Sequence, residues 1–173
     1  MFGAVGPALA AGPDRLADVL ADRDAARMLK AHHRAMLWTL REAAVRGPIL
    51  ATRHALIHYL HHAHAFAPVE TLHAFFLNTR RELIAEEAIA QGTPSALSVE
   101  PRQVLERALL LGATGLVLVH NHPSGDPTPS AADRLFTRRL ATAAECLDIR
   151  LHDHLVIARD GHAAIAVHAI VPE

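Results

Sequence analysis

Residues Gly115-Leu116-Val117-Leu118-Val119-His120-Asn121-His122-Pro123-Ser124-Gly125-Asp126-Pro127-Thr128-Pro129-Ser130-Ala131-Ala132-Asp133 compress an apolar run, two histidines, a proline-rich turn and a helix start into one stretch. The run 115–119 reads as a buried strand. Side chains alternate along a strand with period two, so His120 and His122 point to the same side of the sheet. After the three prolines, a helical pattern begins at Ser130 and brings Asp133 into its first turn. Two imidazoles and a carboxylate converging from a strand end and a helix start make a three-ligand metal site. A fourth position is left for water, as in catalytic rather than structural zinc.

Ser130 and Asp133 carry a second reading. Ser-x-x-Asp at a helix start resembles a capping box, in which the two side chains satisfy the first free amides. Taken alone, that start favours capping; with two histidines on the strand before it, Asp133 is read as a ligand. Ser130 is then free both to cap the helix and to orient an oxyanion. A zinc hydrolase also needs a carboxylate near the attacking water that is not itself a ligand. Glu86 and Glu87 are the only carboxylates in a predicted strand over 83–90 and point to opposite faces, so alternation does not choose between them.

Working outward, the chain of 173 residues suits one domain with a proper core, or one domain and a small appendage. A hydrophobic fraction of 51% and a charged fraction of 20% are those of a globular chain. Cys146 is the single cysteine, which excludes a disulfide framework and a cysteine-ligated zinc within the chain and fits a reducing, cytoplasmic setting. No apolar run approaches the roughly 18–20 residues of a membrane span, and Met1–Gly12 lacks the basic start of a signal peptide. Net charge is −1. Residues 1–66 carry eight basic and five acidic side chains and residues 67–173 nine and thirteen, an asymmetry too small for a DNA-binding footprint.

Residues 13–46 read as helical, closed by Gly47-Pro48. A further helix is predicted from Thr52, as N-cap, to about His64, with Leu56, Tyr59, Leu60 and Ala63 forming its apolar stripe. His54 and His58 lie one turn apart on the other side; with no acidic residue beside them, that face is read as solvated. From Val69 the character changes. Strands are predicted over 71–77 and 83–90, joined as a hairpin by Asn78-Thr79-Arg80-Arg81, with Gly92-Thr93-Pro94-Ser95 ending the second. A helix follows between Pro101 and Gly112, then the strand over 115–120, a helix from Ser130 to about Cys146, a strand over 149–158, a turn at Arg159-Asp160-Gly161 and a last strand over 163–171. A helical module over 1–47 thus precedes an α/β domain over 48–173.

The pattern His-x-His, seven residues, Ser, two residues, Asp resembles the signature of the JAMM (MPN-type) metalloproteases, matched here by His120, His122, Ser130 and Asp133. More narrowly, the stretch is similar to the bacterial RadC family, as are Asn78–Ile84, Gly92-Thr93, Pro101-Arg102 and Asp153-His154. The resemblance covers about 48–173. It implies a cytidine-deaminase-like, three-layer α/β sandwich with a mixed sheet, and a Zn2+ ion held by His120, His122 and Asp133. It places the family's catalytic glutamate at Glu87, with Glu86 matching a more variable neighbour, and gives Asp153 and His154 a supporting role. The activity implied is that of a zinc metallopeptidase or isopeptidase acting on a peptide or protein, with Glu87 as general base and Ser130 steadying the oxyanion. The alternatives are a DNA-repair-associated protein and a non-catalytic MPN scaffold. RadC relatives usually carry an N-terminal helix-hairpin-helix whose Gly-x-Gly turn approaches DNA phosphates. Leu20–Arg27 here has no glycine and adds two aspartates, which reads as a truncated or degenerate form of that module and gives nucleic-acid binding little support.

Overall fold

The computed structural model describes residues 3–49, 53–92 and 99–166. Helices α1 (Val5–Ala10), α2 (Pro13–Leu20), α3 (Arg23–Val45) and α4 (Arg53–His64) come first. Strands β1 (Thr71–Leu77) and β2 (Leu83–Gln91), helix α5 (Pro101–Leu110), strand β3 (Gly115–His122), helix α6 (Ala131–Glu145) and strands β4 (Arg150–Ala158) and β5 (Gly161–Ala164) follow. The helical stretch expected over 13–46 is two helices. Ala21 takes a left-handed conformation and Asp22 caps α3, accepting hydrogen bonds from the amides of Asp24 and Ala25. Helix α1 lies within the helical module expected over 1–47, ahead of the stretch 13–46 read as helical. Thr52, Thr93-Pro94-Ser95 and the end of the last predicted strand, 167–171, lie outside the described residues.

The five strands form one mixed sheet in the order β2-β1-β3-β4-β5. β3 and β4 run parallel, connected through α6, and the other neighbours are antiparallel. Alternation divides the side chains between two cores. Leu72, Ala74 and Phe76 of β1 and Leu116 and Leu118 of β3 pack with Val104 and Ala108 of α5 and with Leu140, Ala141 and Ala144 of α6. Phe75, Leu77, Val117, Val119, Leu155 and Ile157 pack with Leu56, Tyr59 and Leu60 of α4 and with Ala44 of α3. Helices therefore cover both faces, giving the three-layer α/β sandwich with a mixed sheet expected of the sequence, preceded by a helical region.

An irregularity between Leu116 and Val117 sets what β4 presents to each face. Leu116 pairs with Leu151, but Val117 pairs with Asp153 and Leu118 with His154. The extra residue reverses the phase of β4, as a bulge does. Asp153 consequently faces α4, where Arg53 binds its carboxylate, and His154 faces α6 beside Leu118.

Candidate metal centre

β3 delivers two histidines to the α6 face because the strand runs on through His122, so His120 and His122 continue the side of Leu116 and Leu118. The chain then turns back at Pro123–Gly125, where Gly125 has φ +96°, a conformation open to glycine at little cost. Ser130 ends the loop as N-cap of α6: its Oγ accepts from the Asp133 amide at 3.1 Å, and its own amide donates to Asp133 Oδ2 at 2.7 Å. The capping box and the ligand reading are thus both realised, because one carboxylate serves the helix start and faces the histidines. Asp133 Oδ1 lies 3.5 Å from His120 Nε2, and its Oδ2 lies 3.5 Å from His122 Nε2.

Glu70 completes the group. It precedes β1 in phase with Leu72, whose Cα partner is His120, and a Glu70 oxygen joins atoms of His120, His122 and Asp133 all within 4.8 Å of one another. The buried Asn121 fixes that approach. Its Oδ1 accepts from the Thr71 amide at 2.9 Å, and its Nδ2 donates to the Val69 carbonyl at 3.0 Å. Asn121 therefore clamps the two residues that flank Glu70 to the end of β3.

Glu87, expected as the acid/base, is not brought to this group. It shares the α6-side face, but on the edge strand, opposite Ala74, which in turn opposes Leu118. Two strand spacings and two residues along β3 separate it from His120, about 12 Å between Cα atoms. Its carboxylate instead binds Arg107 of α5 through two hydrogen bonds of 2.8 and 2.7 Å, and that guanidinium holds its carboxyl below the ordinary range. Glu86 faces the other core, bonded to Arg41 and Tyr59. The sequence signal for Glu70 is its even spacing from Leu72 and Ala74, one residue before β1.

The hydrogen bonds fix where the protons are. Thr137 Oγ1 lies 2.6 Å from the Asp133 carbonyl, which can only accept, so the hydroxyl donates there. It must then accept from His154 Nδ1, also at 2.6 Å. His154, fully buried and held well below its ordinary pKa first by desolvation and then by His120, is neutral. Its Nε2 is therefore a lone pair and accepts from His120 Nδ1 at 2.9 Å. By the same logic His122 Nδ1 donates to the Asp126 carbonyl at 2.9 Å. In the neutral rings, the form that ligates a metal, both Nε2 atoms are then lone pairs, 3.0 Å apart and facing the carboxylate.

Two such lone pairs and a carboxylate call for a cation, either a metal ion or, in its place, a proton. The field acts on protons too. With a proton in place of the metal, burial pushes the Asp133 carboxyl up, but hydrogen bonding to His120, His122 and Ser130 outweighs it and holds the group well below its usual range. Hydrogen bonding to Asp133 likewise raises His122, so a proton competes with a metal for this position. Burial raises Glu70 against the opposing pull of His120 and His122, which suits a carboxyl that must exchange a proton near neutral pH. Donors at 2.0–2.1 Å from a tetrahedral zinc stand about 3.3 Å apart; the separations of 3.0, 3.5 and 3.5 Å bracket that edge. The donor set fits the ion.

A family model described as RadC-like JAB domain matches residues 50–169. A UPF0758 protein of Rhodobacter capsulatus is 44% identical over 160 residues, an alignment that covers 92% of this chain and 75% of that protein. The JAB match places the metal-fitting group in a domain of the MPN/JAMM superfamily, and no described helix is long and apolar enough to cross a membrane. With the fold, the His-x-His…Ser-x-x-Asp arrangement and both matches in agreement, the chain belongs to the RadC family.

Proposed function

We propose that the chain is a zinc-dependent hydrolase of the JAMM peptidase type, acting on an amide bond of a peptide or protein. One observation carries the reading: two imidazole nitrogens and a carboxylate converge beside a second, partly buried carboxylate. His120, His122 and Asp133 would hold the ion. When bound, zinc supplies a Lewis acid for the scissile carbonyl and lowers the pKa of a bound water to about 7.

Glu70 takes the proton of the attacking water and later returns it to the leaving amine; it replaces Glu87 in that role. Desolvation raises its carboxyl towards the pH at which both directions of transfer are accessible. Ser130, exposed at the helix start, steadies the oxyanion, while Asn121 keeps Glu70 at the end of β3. His154 and Thr137 hold His120 in the tautomer that leaves Nε2 free.

The test is zinc content after dialysis, in the wild type and in two variants. His122→Ala should lose one equivalent relative to wild type. Glu70→Gln should keep it while losing peptide cleavage in a library screen. Equal zinc in the wild type and His122→Ala would remove the basis of the proposal.

A further inference from the structure

On the opposite face of the sheet, α4, β1 and β2 bring together His64, His73 and Glu86. One ring nitrogen of each histidine and one carboxylate oxygen lie within 4.8 Å of one another. The placement follows from strand phase. His73 faces α4 along with Phe75 and Leu77, and Glu86 pairs with Phe75 on the neighbouring strand. His64 closes the last turn of α4, its ring centroid 4.3 Å from that of His73.

Two features distinguish this cluster from an ordinary polar patch. His64 Nε2 is buried and has no hydrogen-bond partner among the described residues. Buried polar atoms are nearly always partnered, so an orphan of this kind calls for an explanation such as an ion or a water. Glu86, in turn, is only 10% exposed and is held from behind: Arg41 Nε donates to its Oε2 at 2.7 Å, and the Tyr59 hydroxyl donates to its Oε1 at 2.9 Å. A carboxylate has about four lone-pair sites, so two donors orient it and leave others open. Hydrogen-bonded carboxylates of this kind are usual behind metal ions.

We propose that His64, His73 and Glu86 form a second site for a divalent transition metal, zinc-like in its preference for imidazole and carboxylate, which ties α4 to β1 and β2. Donors on one tetrahedral ion lie about 3.3 Å apart, so these atoms, all within 4.8 Å of one another, close by at most about 1.5 Å on binding. Burial keeps both rings neutral, His64 down to about 3, and a neutral imidazole is the form that ligates. This site shares no residue with His120, His122, Asp133 and Glu70, and it stands whether or not that centre is catalytic.

The experiment uses the full chain, free of any affinity tag and carrying His122→Ala to silence the first centre. Zinc is titrated and followed by mass spectrometry under native conditions and by long-range proton–nitrogen NMR of the imidazoles. The expected result is about one bound equivalent, with the ring nitrogens of His64 and His73 shifting together. Adding His73→Phe, which keeps an aromatic ring among the apolar neighbours, removes that equivalent; the helix-face histidines are the same in both chains and cancel. If His73→Phe fails to fold, the NMR result alone decides. Unmoved His64 and His73 resonances, or a retained equivalent in the double variant, overturn the proposal.

Discussion

Thr137→Val would test how the buried relay serves the metal centre. Valine keeps the shape of threonine and deletes the one oxygen that both donates to the Asp133 carbonyl and accepts from His154 Nδ1. Without that acceptor a buried N–H is left unpaired, at a cost of about 1–3 kcal/mol in the metal-free protein. His154 can escape the cost by moving its proton to Nε2, but that nitrogen then faces a donor on His120 Nδ1. His120 must reverse its tautomer in turn, which protonates the Nε2 needed by the ion. The expected outcome is zinc affinity about 10–100-fold weaker, the range typical when a group supporting a ligand is lost; this equals about 1.4–2.7 kcal/mol. Competition against a chromophoric chelator measures it, with urea unfolding of the metal-free chain as the control for stability. Thr137→Ser, which restores the hydroxyl, should recover affinity to within about threefold, or ~0.7 kcal/mol. Wild-type affinity in a folded Thr137→Val chain would refute the proton assignment.

Glu70→Gln should lower hydrolysis by about 10²–10⁴-fold with zinc retained, whereas Glu87→Gln should leave turnover near wild type; the same peptide-cleavage assay on both variants checks this, and the reverse ranking would restore Glu87. Asn121→Ala leaves the Thr71 amide and the Val69 carbonyl without their side-chain partner, at about 1–3 kcal/mol each, and should depress turnover more than zinc affinity because it frees the segment that carries Glu70. His64 is held down to about 3 by burial and then by His73, so the unfolded chain takes up its proton first as pH falls below the ordinary value of 6.5. The metal-free protein should therefore lose about 1.4 kcal/mol per pH unit from this group between 6.5 and 3; urea midpoints across that window should fall less steeply in His64→Phe, and an unchanged slope would sink the assignment.

The reach of sequence reading differs between the two parts of the site. His120 and His122 were legible because a two-residue spacing on an apolar strand fixes their common side, whatever surrounds them. Asp133 was legible because the helix start that caps α6 also sets the direction of its carboxylate. Glu70 was not, since it lies just outside β1 and owes its position to Asn121, a contact across 50 residues of sequence. Glu87 had the right face and the wrong strand: alternation reports the side of a sheet, while distance across it depends on strand order. The break of the first helical stretch at Ala21 escaped a periodicity argument because apolar spacing persists through it, although Asp22 carried the capping signal. His154 faces α6 only through the irregularity opposite Val117, and strict alternation from Leu151 would have sent it to the other core.

The most direct measurement is anomalous scattering at the zinc edge from crystals of the full chain grown with zinc. The account predicts a peak bonded to His120 Nε2, His122 Nε2 and the Asp133 carboxylate, with Glu70 beside it and Glu87 still on Arg107. No density between the two Nε2 atoms, or a His120 ring turned to ligate through Nδ1, would contradict it.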